Sequence, residues 1–264
     1  MKILALIKYS LDVAEIKVDT ATKELRMAGV PEKVGNMDKN VVEAAVQLKE
    51  KDGGSLVGLT LGPIAAREGF REVLAMGVDE VNLVEDPFGG KADSSVAVSI
   101  LEAAIKKLGP FDLIVAGFAS DDGYTHQVGP RLAERLGMPL VSFARQVSAQ
   151  DGKFQADRDL DDHQERVEAS LPAVVTIAEE AYPPRRTTLM DALKAKKKPV
   201  NVFSVGDLGL DQTELEQKSL INLVEQQGIV VHRKQQIVKG DSMQDVADKL
   251  IDILLQENVL KGGA

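Results

Sequence analysis

The chain of 264 residues contains no cysteine and no tryptophan, and aromatic residues make up only 4% of it. The lack of cysteine excludes disulfide bonds, thiolate metal sites and a cysteine nucleophile. The shortage of aromatic residues means that aliphatic side chains must fill the core. The three histidines, His126, His163 and His232, do not have the spacing of metal ligands, so no metal site is expected.

Excess positive charge and long apolar runs are also missing. The formal net charge of −9 disfavours general nucleic-acid binding, which requires a basic face. No apolar run reaches the roughly 18 residues that a membrane span needs. The apolar start of the chain, residues 1–8, is too short for a signal peptide. We therefore expect a cytoplasmic protein that neither binds nucleic acid nor inserts into a membrane.

Short apolar runs that alternate with helical patterns fill the first half of the chain. Continuous runs at residues 3–7 and 113–116 are typical of strands that are buried on both faces of a parallel sheet. Such alternation predicts an α/β fold with a doubly wound, mostly parallel sheet. The same pattern predicts further strands at 56–61, 81–84 and 140–143, helices at 36–51, 65–76 and 93–108, and a small separate hairpin within 15–27.

The pattern changes after residue 144. A hairpin signal at 150–152 and an alternating segment at 164–171 predict an antiparallel extension of the sheet, and residues 173–177 return to the core. A helix is predicted at 189–197, an extended connector at 207–217, and a last amphipathic helix that begins at Asp241 or Ser242. We divide the chain into a nucleotide-binding domain, 1–205, and a C-terminal connector and helix, 206–264.

The polar loop after the fourth strand, residues 117–130, is typical of an anion site. Pro130 suits the first turn of the following helix, whose free N–H groups and positive dipole end favour an anion. Gly123 and Gly129 allow the backbone to approach a ligand closely. An ordinary capped turn between a strand and a helix explains the same residues without a ligand.

Two acidic residues in this loop complicate phosphate binding. Asp121 and Asp122 repel a phosphate group, so they either cap the loop or accept hydrogen bonds from ribose hydroxyls. Ligands of open α/β sheets bind at the carboxyl ends of the strands. The segments after Ile7, around Asn36, after Leu61 and after Ala116 should therefore meet in one crevice.

The motifs together resemble the beta subunit of electron transfer flavoproteins, whose nucleotide loop has the pattern G-x-x-A-x-D-[GD]-D-x-x-Q-[TV]-G. Ser120 and Tyr124 depart from that pattern, and the residues that fit it are Gly117, Asp122, Gly123, Gln127, Val128 and Gly129. Residues 171–176 are similar to the family signature, and residues 188–198 to its partner-recognition loop and basic helix. With further matches at 36–39 and 75–79, the resemblance covers roughly residues 1–205.

The resemblance implies an adenine-nucleotide alpha hydrolase-like fold with a C-terminal partner-binding arm. It implies a heterodimer in which an alpha subunit carries an FAD, and a beta subunit that holds a dehydrogenase of the acyl-CoA type, or another flavin dehydrogenase, through Leu189. No catalytic residue is implied. The residues implied to contact the nucleotide are Leu6, Asn36, Met37, Asp38, Lys39, Leu61, Gly117, Phe118, Ala119, Ser120, Asp121, Asp122, Gly123, Tyr124, Thr125, His126, Gln127, Val128 and Gly129.

The nucleotide itself is AMP or a second FAD. The loop resembles that of bifurcating members, because Gly123 stands where an acid would add a side chain and a negative charge near the phosphates. Small residues within 12–15 leave room for a flavin, whereas Tyr124 narrows the site. A second FAD is therefore favoured, with NADH as the electron donor. The chain is then an electron carrier that takes part in NADH oxidation only within a bifurcating complex.

Two alternatives share the fold class. A universal-stress-type nucleotide-binding protein has the same loop, but it is usually shorter and needs neither the Leu189 segment nor a C-terminal arm. An ATP-using ligase would carry a glycine pair after the first strand, where this chain has residues 8–12 without glycine.

Overall fold

Strand β1 (Lys2–Leu6) lies in the interior of a nine-stranded sheet because every residue after Lys2 is buried and apolar. It pairs in parallel on both edges, with Ala5 opposite Gly58 on one side and opposite Val115 on the other. The computed structural model describes residues 1–150, 152–231 and 233–260. The chain consists of two compact units. The first contains residues 1–17 and 26–226, and the second contains residues 18–25 and 227 onward.

The main sheet has the strand order β11-β10-β9-β12-β8-β1-β6-β7-β13, and two pairs of short strands, β2 with β5 and β3 with β4, lie outside it. The strands after β1 are β2 (Tyr9–Leu11), β3 (Lys17–Val18), β4 (Leu25–Arg26), β5 (Glu32–Val34), β6 (Ser55–Gly62), β7 (Glu80–Glu85), β8 (Leu113–Gly117), β9 (Leu140–Gln150), β10 (Lys153–Asp159), β11 (Gln164–Ser170), β12 (Ala173–Ile177) and β13 (Val200–Phe203).

An apolar layer lies between the sheet and the helices on each of its two faces, as the doubly wound prediction requires. One layer contains residues of α1, α3 and α6, and the other contains residues of α4, α5 and α7. The α-helices are α1 (Asn36–Asp52), α2 (Ala66–Gly69), α3 (Arg71–Met76), α4 (Ser94–Leu108), α5 (Val128–Leu136), α6 (Leu189–Ala195), α7 (Gln212–Gln217) and α8 (Met243–Gln256).

The strand order reverses between β1 and β8. From β1 the chain moves outward through β6 and β7, and it then returns by way of α4 to β8 on the opposite edge of β1. Seven strands, in the sheet order β9-β12-β8-β1-β6-β7-β13, are parallel to one another. The edge strands β10 and β11 are antiparallel, since β10 pairs antiparallel with both β9 and β11. The predicted fold class and antiparallel extension are confirmed.

Two sequence predictions of helices and strands require correction. The helix predicted at 65–76 is divided at Phe70 into α2 and α3, where the ψ angle of Phe70 is −4°. The strand predicted to end near Phe143 continues as β9, and β13 adds an edge strand that no pattern indicated.

The connector predicted as extended is folded. Residues 206–208 form a 3-10 turn, and Asp211 caps α7 by accepting from the backbone N–H of Glu214 at 3.0 Å. Leu215 is only 1% exposed and joins the same apolar layer as α4. The segment therefore belongs to the core of its unit.

The second unit contains residues 18–25 and the chain from 227 onward. Its helix α8 is capped by Ser242, as predicted, whose hydroxyl accepts from the Asp245 backbone N–H at 3.1 Å. No residue of α8 is buried, and its apolar residues Met243, Leu250, Ile251 and Leu255 are exposed. Within the described part of the chain, no helix is long and apolar enough to cross a membrane.

The packing of α7 predicts the effect of truncating Leu215. Leu215→Ala should lower the free energy of unfolding by about 2–5 kcal/mol, because it removes a fully buried side chain. The matched variant Leu223→Ala, in the same unit but 72% exposed, should change it by no more than about 0.5 kcal/mol. Urea denaturation of both variants measures the difference, and equal small losses would contradict the packing of the connector.

Candidate functional site

Three segments that are distant in sequence meet at the carboxyl ends of the neighbouring strands β1 and β8. The Lys8 backbone N–H, just after β1, donates to Asp38 Oδ1 in the first turn of α1 at 2.7 Å. Lys8 Nζ donates to Asp122 Oδ1 in the loop after β8, also at 2.7 Å. The backbone N–H of Asn36 donates to Asp121 Oδ2 at 2.7 Å. The expected meeting of the segments after β1, at α1 and after β8 is therefore observed.

The remaining expected site residues lie at the ends of strands, in α1, or in the loop after β8 and the start of α5. Leu6 ends β1 and Leu61 lies at the carboxyl end of the adjacent β6, while Gly117 ends β8. Lys39 turns to Glu72, with its Nζ 2.8 Å from Oε1. The loop residues 118–127 follow β8 and lead directly into α5, whose first two residues are Val128 and Gly129.

Glycine at position 35 is required by the close approach of two carboxylates. A Cβ at Gly35 would lie 2.5 Å from Asp121 Oδ2 and 2.8 Å from Asp38 Oδ2. The N-cap of α1 is Gly35, and no side chain of the helix itself caps it. Asp121 satisfies the first helical N–H from across the crevice instead, so the loop after β8 is joined to α1. Sequence reasoning missed Gly35 because the contact is not local.

The three carboxylates do not carry three unpaired negative charges. Burial, and then the neighbouring Asp121 and Asp122, raise the pKa of Asp38 to about 8, so its neutral form predominates at pH 7. Burial also acts to raise the pKa of Asp122, but the Lys8 ammonium and hydrogen bonds from Ser120 and Gly123 hold this pKa below its ordinary value. The sequence analysis did not identify Lys8, although its position directly after a buried strand was an available signal.

The N-terminus of α5 lies at the same crevice and has no capping side chain. Its N-cap is Gln127, and no side chain caps it, so the first backbone N–H groups, those of Val128 and Gly129, have no acceptor within the helix. A Cβ at Gly129 would lie 2.5 Å from Thr176 Cγ2, so only glycine fits there. At α1, by contrast, the corresponding position is filled by the Asp121 carboxylate.

Four rings form an aromatic group beside the loop. Phe118 lies 5.7 Å from Tyr124, 5.0 Å from His126 and 5.8 Å from Phe143 between ring centroids. The backbone at Tyr124, His126 and Phe143 has positive φ angles. Residues other than glycine rarely adopt such angles, which often mark functional loops. Among the described residues, nothing forms a hydrogen bond with the buried Nδ1 of His126. Phe143 was not predicted, since it belongs to an otherwise ordinary strand.

Leu189 belongs to a separate surface. It is the first residue of α6, a helix that packs against α3, and its side chain is 78% exposed. Thr188 caps α6, with its hydroxyl accepting from the Asp191 N–H at 3.2 Å. Upstream, Arg185 donates to both Glu43 and Glu50 of α1, so the segment that presents Leu189 is held by ion pairs at its base.

The residues of the crevice fit the phosphate end of a nucleotide. The free α5 N–H groups favour an anion, and glycine at 129 allows α5 to pack closely against Thr176 of β12. The acidic side chains are engaged with Lys8, with the backbone at α1 or with a proton. No group of side chains suited to a metal ion is found in the described ranges.

The role of Asp121 as a cap from across the crevice predicts its contribution to stability. Asp121→Ala should lower the free energy of unfolding by about 1 kcal/mol, because it leaves the first N–H of α1 without an acceptor. Asp121→Asn should lose less, since asparagine is also a good capping acceptor. Chemical denaturation of these variants and of Asp161→Ala, an exposed aspartate, checks this. An equal loss in Asp161→Ala would contradict it.

The raised pKa of Asp38 predicts a pH-dependent stability difference. The ordinary pKa is 3.8 and the folded value is about 8, so the folded chain binds the extra proton between these values. The stability contributed by this proton is complete below about pH 4 and is lost as the pH rises through about 8. Asp38→Asn keeps the acceptor for Lys8 and stays neutral at every pH.

The variant should therefore gain stability relative to the wild-type chain as the pH rises from about 4 to about 8. Denaturation of both proteins at intervals across this range measures the difference, and Asp161→Asn serves as the control. A difference that does not change with pH would contradict the assignment.

Comparison with known proteins agrees with the fold. The model of the electron transfer flavoprotein domain matches residues 23–208. The chain is 37% identical to the electron transfer flavoprotein subunit beta of Thermoanaerobacterium thermosaccharolyticum over 216 residues, 81% of this chain and 83% of that one. It is 36% identical to the caffeyl-CoA reductase-Etf complex subunit CarD of Acetobacterium woodii over 211 residues, 80% of each chain.

A third relative extends the similarity along nearly the whole chain. The electron transfer flavoprotein subunit beta of Megasphaera elsdenii is 29% identical over 274 aligned positions, which cover 98% of this chain and 100% of that protein. The family model alone covers more than half of the sequence, including β1's partner strands, the loop after β8 and the α6 segment. The chain belongs to the electron transfer flavoprotein family.

Proposed function

We propose that this chain is the beta subunit of a heterodimeric electron transfer flavoprotein and that it binds an adenine nucleotide in the crevice between β1 and β8. The uncapped N-terminus of α5 carries the proposal, because it offers backbone N–H groups to a phosphate at the point where the strand order reverses. Membership of the family favours this function over that of a universal-stress-type protein.

Different residues of the crevice would have different roles in binding the nucleotide. The N–H groups of Val128 and Gly129, with the side chains of Thr125 and Gln127, would hold phosphate. Asp121 is already bound to the backbone of α1, so we assign it to positioning the loop rather than to the ribose. A bound flavin would supply the electron-transfer chemistry, and the protein would supply orientation and electrostatic environment.

A second FAD is the favoured occupant, and a structural AMP is the alternative. A diphosphate needs more backbone donors and less negative charge than a monophosphate. At Gly123 the loop has neither a side chain nor an acid, and the nearest atom to a Cβ there would be Ser120 Oγ at 3.2 Å. The Tyr124 ring, which could have narrowed the site, packs edge-on against Phe118 and His126.

The occupant decides the kind of electron carrier. With FAD in this site, NADH would be the donor, and its electrons would be divided between two acceptors by flavin-based bifurcation. With AMP, the chain would serve a carrier that has only the flavin of its alpha partner. In either case the chain is a carrier subunit, and NADH oxidation would belong to the complex.

The C-terminal part is proposed to bind the alpha subunit. Under this proposal residues 1–205 bind the nucleotide, and residues 206–264 form a connector and a helix that packs on the partner. The apolar side chains of α8 support it, because a helix without buried residues needs a partner to cover its apolar face.

The surface around Leu189 is proposed to bind a flavin dehydrogenase, of the acyl-CoA type or another. An exposed leucine at the start of a well-capped helix is a suitable anchor for a small, transient interface. The relative from Acetobacterium woodii is named as a subunit of a complex of caffeyl-CoA reductase with Etf. That name supports a partner that acts on an acyl-CoA.

The occupant of the crevice can be counted. The heterodimer, purified and extracted under denaturing conditions, should release two flavins and no AMP. One flavin and one AMP per heterodimer would instead establish the alternative.

A matched pair of variants tests the reason for the preference. Gly123→Asp should lower the flavin content through charge repulsion with the diphosphate, whereas Gly123→Asn, of nearly equal size, should retain most of it. Equal loss in both variants would mean that space, and not charge, limits the site.

Truncation of Leu189 should affect partner binding without affecting the fold. Leu189→Ala should weaken binding of the dehydrogenase at least about tenfold, as expected for a central apolar anchor. Flavin content and melting temperature should not change, because the side chain is 78% exposed. Leu189→Met should retain most of the rate of electron transfer. An unchanged rate with a lowered melting temperature would show that Leu189 only packs the start of α6.

A further inference from the structure

The connector after β13 runs along α4 in the opposite direction. Near the end of α4, Lys107 Nζ donates to the backbone carbonyl of Asp207 at 3.0 Å. Leu215 of α7 then enters the apolar layer that α4 helps to form. At the start of α4, Asp93 Oδ2 accepts from the backbone N–H groups of Leu220 at 2.6 Å and Ile221 at 3.1 Å. In the sequence, the chain continues from this point into the second unit.

The same turn of α4 contacts the nucleotide loop. Ser94 Oγ donates to Gln127 Oε1 at 2.7 Å, and Gln127 is the N-cap of the open end of α5. One residue later, Ser95 Oγ accepts from Arg131 Nη1 of α5 at 2.5 Å. Asp93 and Ser94, which are adjacent, therefore join the connector on one side and the proposed phosphate position on the other.

Asp93 combines two roles in one carboxylate. Its Oδ1 accepts from the N–H groups of Ser95 and Val96, both at 2.9 Å, and so caps α4. Its Oδ2 holds the connector. If Ser94 moves, the first turn of α4 moves with it. The Asp93 carboxylate, which accepts from the backbone N–H groups of Leu220 and Ile221, is then displaced as well.

The contacts between α4 and α5 make the turn sensitive to the loop. One turn further along, Arg135 of α5 donates to Glu102 Oε2 of α4 at 2.6 Å. With Arg131 at the other end, α5 is fixed to α4 at two points. A ligand that orders Gln127 therefore restrains the first turn of α4 as well, because Ser94 is bonded to Gln127 and Ser95 is bonded to Arg131 of α5.

We propose that the first turn of α4 couples occupancy of the crevice to the order of connector residues 219–221, with Ser94 as the positioning residue that transmits it. The proposal rests on the proposed nucleotide site and adds its regulation. A nucleotide held by Gln127 and the α5 N-terminus fixes Ser94, and the Asp93 carboxylate then holds the connector more firmly. Because such coupling is reciprocal, an ordered connector also raises the affinity for the nucleotide.

Hydrogen exchange of the full-length chain tests the coupling, with AMP and FAD as separate probes at saturating concentrations. In the wild-type chain, nucleotide should slow the exchange of the Leu220 and Ile221 amides severalfold. Ser94→Ala should abolish this slowing at saturation and should weaken nucleotide binding by about fivefold, at the lower end of typical allosteric couplings. Ser94→Thr keeps the hydroxyl and should restore both properties.

Two further variants separate the coupling from general loosening. Ser99→Ala removes a hydroxyl of the same helix that donates to the Ser95 carbonyl and accepts from Arg135 Nη1 at 3.3 Å, away from Gln127. Because Arg135 keeps its bond to Glu102, this variant should behave as the wild type. Asp93→Asn keeps a good N-cap but replaces one carboxylate oxygen. It should leave the two connector amides in fast exchange with and without nucleotide, and it should weaken nucleotide binding by a similar factor.

The outcomes distinguish the coupling from the function on which it rests. If neither AMP nor FAD binds, the proposed nucleotide site is wrong, and the coupling is wrong with it. If a nucleotide binds but the connector amides exchange as before, the site stands and the coupling is overturned. The coupling is also overturned if Ser94→Ala transmits the slowing as the wild-type chain does, or if Ser99→Ala loses it.

Discussion

The burial of β1 on both faces is the constraint on which the rest of the structure depends. A strand without a polar face must be covered by helices on both sides and paired on both edges, which requires the chain to cross over it in two directions. That crossing produces the reversal of strand order between β1 and β8. The crevice, α1 and the loop before α5 are where they are because of this reversal.

The crevice concentrates acidic side chains at a position suited to an anion, and the structure resolves this conflict locally. Each carboxylate has a different compensation: a backbone N–H at the start of α1 for Asp121, the Lys8 ammonium for Asp122, and a retained proton for Asp38. These contacts also join the three segments of the crevice. The negative residues therefore act as structural connections, and the N-terminus of α5 stays open.

The apolar surface that the chain leaves exposed is concentrated in two places. Leu189 and its neighbours on α6 form one, and the chain after residue 219 with α8 forms the other. The first part of the connector is packed on α4, whereas its later apolar side chains are exposed. Two exposed apolar surfaces are consistent with the proposed binding of an alpha subunit and of a dehydrogenase.

The sequence by itself determined the elements with strong local signals. The continuous apolar runs of β1 and β8, the cap at Asp93 and the loop motif at 117–130 are all visible without the structure, because each depends on adjacent residues. They were sufficient to predict the parallel sheet, the meeting of distant loops and the family. The small hairpin and the cap of α8 at Ser242 were predicted for the same reason.

Only the tertiary structure decided which distant groups satisfy one another. The cap of α1 comes from Asp121, which is 85 residues away, and the requirement for glycine at 35 arises from that approach. The helix α7 forms because Leu215 finds an apolar layer on α4, although its own sequence shows little periodicity. Local patterns encode the elements, whereas caps, ion pairs and buried anchors between distant segments depend on which surfaces the fold brings together.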